Sequence, residues 1–119
     1  MLRILLVEDD KDVAEVISQF LYMLGYFVDI AFSAEMALKL FNKNQYNLII
    51  TDGNLPGKDG LWLIQKIKKD SPFLPILGIS GYGEIQIFLS AGADAFLSKP
   101  FTFQQLKEKI DFLLKDNLT

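Results

Sequence analysis

Apolar residues recur along the chain in two alternating patterns: short continuous runs typical of buried strands, and longer stretches that repeat at helical spacing. Glycine, proline and small polar residues that favour turns separate them. The predicted strands are Arg3–Val7, Phe27–Ala31, Tyr46–Thr51, Pro75–Ile79 and Ala95–Ser98. The predicted helices are Lys11–Leu24, a second helix capped by Ser33, Leu61–Lys69, Glu84–Ser90, and a last helix with Thr102 and Gln105 in capping-box spacing.

The same spacing predicts which side chains the helices bury, and it places the end of the first helix at Gly25. The expected inner faces are Val13, Val16, Ile17, Phe20, Leu21 and Leu24 in the first helix, Ala34, Ala37, Leu38 and Phe41 in the second, and Phe103, Leu106, Ile110 and Leu113 in the last.

Strands alternating with helices predict an α/β fold. Because the strands are apolar throughout, a doubly wound parallel sheet with helices on both faces is favoured. We expect one domain over residues 1–119. In such a sheet the binding crevice lies at the carboxyl ends of the strands, where the strand order reverses.

The composition supports a packed core and excludes several kinds of site. Hydrophobic residues make up 50% of the chain, and the absence of cysteine excludes disulfides and thiolate metal sites. The sequence lacks a signal-peptide pattern and any membrane-length apolar stretch, so we expect a cytoplasmic protein. Twelve basic residues against fifteen acidic ones give a net charge of -3, which argues against direct binding of nucleic acid.

Polar groups follow four of the five predicted strands. Glu8-Asp9-Asp10 come after the first strand, Asp52 after the third, Ser80 after the fourth and Lys99 after the fifth. Carboxylates gathered at one edge of a sheet repel one another unless a cation joins them or a pKa rises. Mg²⁺ suits such a partial set of oxygen ligands better than Ca²⁺, which takes more of them.

Phosphoryl transfer asks a protein mainly for positioning and for neutralisation of the phosphoryl oxygens. Asp52 is the best nucleophile, because it stands alone at the end of a central strand and a carboxylate can form an aspartyl phosphate. Lys99 can pair with one phosphoryl oxygen and the Ser80 hydroxyl can donate to another.

Each of these residues also has a simpler interpretation. The acidic residues 8–10 would favour the positive end of the first helix, a role that suits Asp10 best. Asp52 could be a turn residue, Lys99 an exposed lysine and Ser80 a loop residue before glycine.

Four segments carry a family resemblance that runs through the whole chain in order. They are Leu6–Asp10, Ile50–Gly60, Ile79–Ser80 and Ala91–Phe101. Together they resemble the receiver domains of bacterial response regulators. The resemblance implies a flavodoxin-like strand order 2-1-3-4-5.

Carried over by position, the resemblance implies that Asp52 is the phosphoacceptor. It implies that Glu8 and Asp9 hold Mg²⁺, with Asp9, Asp52 and the main-chain carbonyl of Asn54 as direct ligands. Ser80 and Lys99 would contact the phosphoryl group. The bond between Lys99 and Pro100 is commonly cis in the family.

The resemblance also implies a switch and a means of tuning it. Ser80 would move toward the phosphoryl group while Phe96 turns inward, and Asn54 and Tyr82 would tune hydrolysis of the phosphoryl bond. The helix at Ile85–Leu89 is more apolar than one buried stripe requires, so with the fifth strand it is expected to bind a downstream protein or a second copy of the chain.

The leading hypothesis is a phosphorylation switch served by a histidine kinase or phosphotransfer protein. It catalyses only its own phosphorylation and dephosphorylation, so we do not expect a turnover enzyme. One alternative is a degenerate receiver that works as a constitutive protein-docking module. Another is a magnesium phosphatase, which commonly has an acid two residues after its nucleophile, where this chain has Asn54.

Overall fold

The computed structural model describes residues 1–81 and 85–115, the latter without the side chain of Ile85. Five parallel strands form one sheet in the order β2-β1-β3-β4-β5. The predicted α/β fold and strand order are therefore confirmed. The elements are β1 (Arg3–Val7), α1 (Lys11–Met23), β2 (Phe27–Ala31), α2 (Ala34–Lys43), β3 (Leu48–Asp52), α3 (Gly60–Asp70), β4 (Ile76–Ser80), α4 (Ile85–Ala91), β5 (Ala95–Ser98) and α5 (Phe103–Leu114).

Two apolar cores lie on opposite faces of the sheet, because successive side chains of a strand point to opposite faces. In β3, Ile49 belongs to the core beneath α2, α3 and α4, whereas Ile50 belongs to the core beneath α1 and α5. The central strands are consequently apolar on both faces, as the continuous runs in the sequence predicted.

Short polar side chains fix where the helices begin. Asp10 accepts hydrogen bonds from the amides of Asp12 and Val13 at the start of α1, and Ser33 caps α2. Thr102 and Gln105 form the predicted capping box of α5. These side chains satisfy amides that have no partner within the helix, so the strand-to-helix turns are well defined.

Predicted burial was wrong at several helix positions. Val13 and Val16 are 36% and 52% exposed, because the buried stripe of α1 consists of Ala14, Ile17 and Leu21. Phe103 is 43% exposed, and its ring stacks on Phe20 of α1 at 4.5 Å between ring centroids. The two rings cover each other at the edge of the core where α1 and α5 meet. At the end of α5, Leu114 is buried and Leu113 only partly so.

Element boundaries differ from the predictions by one or two residues. The third and fourth strands extend one residue further, so Asp52 and Ser80 are the last residues of β3 and β4. The first helix ends at Met23, and the third helix begins at Gly60. Within the described residues, none of the helices is long and apolar enough to cross a membrane.

Candidate functional site

The carboxyl ends of β1 and β3 bring three acidic side chains together. Carboxylate oxygens of Glu8, Asp9 and Asp52 all lie within 4.8 Å of one another. Glu8 and Asp52 are buried, whereas Asp9 is exposed. Asp10 caps α1 instead, as its simpler interpretation predicted.

Lys99 reaches this acidic cluster from the end of β5. Its Nζ donates to Asp52 Oδ2 at 2.6 Å and to Glu8 Oε1 at 3.3 Å. One ammonium group therefore donates hydrogen bonds to two buried carboxylates. The bond between Lys99 and Pro100 is cis.

Burial and neighbouring charges shift the pKa values of Glu8 and Lys99. Burial raises the pKa of Glu8 above its usual value, and the charge of Asp52 raises it further, although the Asp10 amide and Lys99 partly oppose both effects. Burial lowers the pKa of Lys99, but its hydrogen bond and charge interactions with Asp52 and Glu8 outweigh burial, so the net shift is upward. Lys99 is thus held as a cation, and its single charge only partly offsets the burial of Glu8 and the repulsion from Asp52.

Asn54 joins the two central strand ends. Its backbone amide donates to Asp52 Oδ1 at 2.9 Å, and its side-chain Nδ2 donates to Ser80 Oγ at 3.3 Å. Ser80 is completely buried at the end of β4. The phosphoacceptor candidate and the hydroxyl candidate are therefore held in one hydrogen-bonded arrangement.

The start of α3 packs against the end of β3 at very close range. The Gly60 amide donates to the Gly53 carbonyl at 3.3 Å, and a Cβ at Gly60 would overlap the backbone oxygen of Asp52. Asp59 caps the helix. The sequence marked Gly60 only as part of a turn, so its place beneath Asp52 was not predicted.

Phe96 lies on β5 and is buried beneath α4, with its ring centroid 5.2 Å from that of Phe88. Tyr82 lies outside the described residues, so its predicted role in tuning hydrolysis stays a prediction. In α4, Ile87 and Leu89 are 51% and 42% exposed, but Phe88 is buried and is not part of the exposed surface.

Comparisons with known proteins place the chain among signalling domains. The family model of the response regulator receiver domain matches residues 4–111. The chemotaxis protein CheY1 of Helicobacter pylori is 34% identical, over 98% of this chain and 99% of that protein. The transcriptional regulatory protein TctD of Salmonella typhimurium is 32% identical, over 96% of this chain and 52% of TctD. The chain thus spans about half the length of TctD.

Solved structures agree with these relatives. The response regulator TrrA of Thermotoga maritima, in complex with Mg²⁺ and BeF, has a TM-score of 0.90 and 36% identity, covering 96% of this chain and 100% of that one. A receiver domain protein of Clostridium thermocellum has a TM-score of 0.92 and 26% identity, covering 98% and 97%. The resemblance predicted from the sequence is confirmed.

Proposed function

Because the chain belongs to the response regulator receiver domain family, we propose that it is a phosphoacceptor switch of two-component signalling. Asp52 accepts the phosphoryl group from a histidine kinase or phosphotransfer protein, with Mg²⁺ as cofactor. The observation that carries this proposal is Lys99 Nζ at 2.6 Å from Asp52 Oδ2, within a cluster of three carboxylates. The chain contains no histidine, so the phosphohistidine must belong to the donor.

The donor set fits Mg²⁺. Three carboxylates close together supply the hard oxygen ligands that this ion takes, and the open side at exposed Asp9 leaves room for water and phosphate. Asp9, Asp52 and the main-chain carbonyl of Asn54 would coordinate the ion, and Glu8 would help to hold it. When bound, Mg²⁺ would offset negative charge on the carboxylates and on the incoming phosphoryl oxygens.

The transfer itself needs one nucleophile, the Asp52 carboxylate. An Asp52 carboxylate oxygen forms a bond to phosphorus while the phosphorus–nitrogen bond to the donor imidazole breaks. The imidazole nitrogen keeps the electron pair of the broken bond and takes up a proton from solvent water. The products are an aspartyl phosphate and a neutral histidine.

Two side chains would stabilise the transferred group. Lys99 exchanges its hydrogen bond with Asp52 for one with a phosphoryl oxygen, and Ser80 donates its hydroxyl to another. Ser80 and Phe96 then act as the switch. Asn54, together with Tyr82, tunes the later attack of water.

The test is incubation with Mg²⁺ and phosphoramidate, followed by intact-mass measurement. The parent is expected to gain one phosphoryl group, and Asp52→Asn is expected to gain none. Asp70→Asn is the matched control, because Asp70 is an exposed acid at the end of α3, and it should react like the parent. A parent without an adduct would favour the alternative, a constitutive protein-docking module.

The chain would catalyse only its own phosphorylation and dephosphorylation, and it would act in the cytoplasm.

Its readout surface would be the groove between α4, β5 and α5, about 460 Å³ in volume. Leu89 and Phe112 line this groove and are 42% and 57% exposed, and Phe96 lies at its wall.

We propose that a second copy of the chain or a downstream protein binds in this groove. Sedimentation velocity with and without Mg²⁺ and a beryllofluoride analogue tests the first possibility. An analogue-dependent dimer supports self-association, whereas an unchanged monomer contradicts it.

A further inference from the structure

Phe88 anchors α4 to the sheet. Its side chain is 1% exposed, whereas its neighbours Ile87 and Leu89 are 51% and 42% exposed. Among the described side chains of this seven-residue helix, Phe88 alone is buried. The docking of α4 therefore depends largely on where this one ring fits.

Two glycines make the space for the ring. A Cβ at Gly78 would lie 2.5 Å from Phe88 Cδ1, and a Cβ at Gly53 would overlap the Phe88 Cζ atom. Any other residue at either position would displace the ring, so Gly53, Gly78 and the ring of Phe96 form what we call the Phe88 slot.

The slot lies directly beneath the candidate phosphorylation site. Gly53 follows Asp52 and precedes Asn54, and its amide donates to the Ile79 carbonyl at 2.9 Å. Gly78 stands two residues before Ser80 in β4. The Phe88 ring thus packs against the backbone of both strands whose last side chains are the phosphoacceptor and hydroxyl candidates.

A close-packed ring fixes the backbone that it contacts, because protein interiors have few voids into which a segment can shift. If the ring leaves, the Asp52–Asn54 segment can relax into the space, and the Asn54 amide and carbonyl move with it. Conversely, a movement of these strand ends on phosphorylation would displace the Phe88 ring, and α4 would move with it.

We propose that Phe88 is a positioning residue for phosphoryl transfer to Asp52, and that its slot couples the docking of α4 to occupation of the site. This inference rests on the proposed function. It concerns the buried Phe88 ring of α4, whereas the readout groove is lined by the exposed side chain of Leu89, and Phe96 borders both.

The first test compares rates of Asp52 phosphorylation by phosphoramidate at a temperature at which circular dichroism finds every variant folded. Phe88→Ala is expected to slow phosphorylation roughly tenfold, since small misplacements of reacting groups are costly. Phe88→Leu, which still fills much of the slot, is expected to recover most of the rate.

Ile110→Ala is the matched control, because Ile110 is fully buried in the core on the opposite face of the sheet. It should lower stability without changing the rate. Equal slowing by Phe88→Ala and Ile110→Ala would overturn the inference, since it would indicate general destabilisation.

A second test enlarges the side chain at Gly78 and shortens the one at Phe88, on opposite sides of the Phe88 slot. Gly78→Ala is expected to slow phosphorylation of the parent, because the new Cβ displaces the ring. In the Phe88→Leu background the same change is expected to have a smaller effect, since the shorter side chain leaves room. Equal effects in the two backgrounds would contradict direct packing across the slot.

A third test measures the effect of an occupied phosphorylation site on α4. Coupling between sites is reciprocal, so if a docked Phe88 favours the occupied site, occupation must favour a docked Phe88. Mg²⁺ with beryllofluoride is expected to slow amide hydrogen exchange in α4 of the parent but not of Phe88→Ala. Identical responses of the two proteins would overturn the proposal.

These experiments separate this inference from the proposed function. A parent that takes no phosphoryl group overturns both. A parent that reacts, with Phe88 variants that react at the same rate, overturns this inference alone.

Discussion

Lys99 is one ammonium group between two buried carboxylates. Its own side chain is 37% exposed, whereas those of Glu8 and Asp52 are 5% and 6% exposed. Water can therefore solvate the cation more readily than the anions, so losing Lys99 leaves the anions with little compensation.

Lys99→Met is expected to lower the free energy of unfolding by about 1–3 kcal/mol in metal-free buffer, because buried charges without partners are costly. Urea denaturation measures the loss. Lys107→Met is the matched control, because the Lys107–Asp111 pair on α5 is exposed and such pairs contribute little. Equal losses in the two variants would contradict this account of Lys99.

The Gly60 position has no room for a side chain. Gly60→Ala is expected to cost about 1–3 kcal/mol of folding free energy, because its Cβ would overlap the Asp52 carbonyl oxygen and push α3 away from β3. Chemical denaturation measures the change. Gly81→Ala is the control, since a Cβ there meets no atom of residues 1–81 or 85–115 within 4 Å, and a comparable loss there would contradict the steric explanation.

Glu8, Asp9, Asp52 and Lys99 could be identified from the sequence because each lies at or just after the end of a strand that an apolar run reveals. Parallel strands end at a common edge, so position along the chain was enough to predict that these side chains meet. Gly60 and the Phe88 slot could not be found in this way. They depend on how closely helices cross the sheet, which no periodic pattern encodes.

Strands β1 and β2 are tied to the segment before β3 by one aspartate. Asp29 Oδ2 accepts hydrogen bonds from Arg3 Nε and Nη2 at 3.0 and 2.8 Å, and from the Tyr46 hydroxyl at 2.7 Å. The Arg3 guanidinium also lies over the rings of Phe27 and Tyr46. This network holds the amino-terminal end of the sheet, opposite the acidic cluster.

Tyr46 gives this network a pH dependence. Burial raises the pKa of Tyr46 above its ordinary value of 10.0, and the Asp29 hydrogen bond and charge raise it further, although Arg3 opposes them. In the unfolded chain the phenol loses its proton first, near pH 10, so its contribution to stability is complete below that pH and is lost as the pH rises above it.

Tyr46→Phe is therefore expected to be less stable than the parent at neutral pH, with the difference shrinking above pH 10. Guanidinium denaturation at several pH values from neutral to alkaline measures both free energies. Tyr26, whose pKa burial also raises, is present in both proteins and cancels in the comparison. A difference that is constant with pH would contradict the prediction.

Helical periodicity in the sequence predicted where the helices lie more accurately than it predicted which of their side chains are buried. In α1 the apolar stripe of the sequence is wider than the surface available on the sheet, because α5 covers the same face from the other side. Ala14 is fully buried, whereas larger Val16 is 52% exposed. The size and spacing of apolar residues in α1 do not by themselves show which side of its apolar stripe will be buried. That depends on where α5 packs beside it.

Mg²⁺ is expected to stabilise the whole molecule, since a ligand that binds only the folded state shifts the folding equilibrium. At a concentration of one hundred times Kd the gain would be about 2.7 kcal/mol. Thermal unfolding with MgCl₂, compared with NaCl at equal ionic strength, measures it. Asp9→Asn should lose most of the gain, and an equal effect of both salts on the parent would contradict specific binding.

The Glu8–Lys99 contact joins positions 91 residues apart. Lys99 follows β5, the last strand of the sheet, so a chain still emerging from the ribosome with only its first four strands has acids at the crevice but no cation of its own to face them. Chemical competence would arrive together with the docking of the final strand. Reaction with a small phosphate donor would then report that β5 has joined the sheet, and a chain with only its first four strands in place would not react.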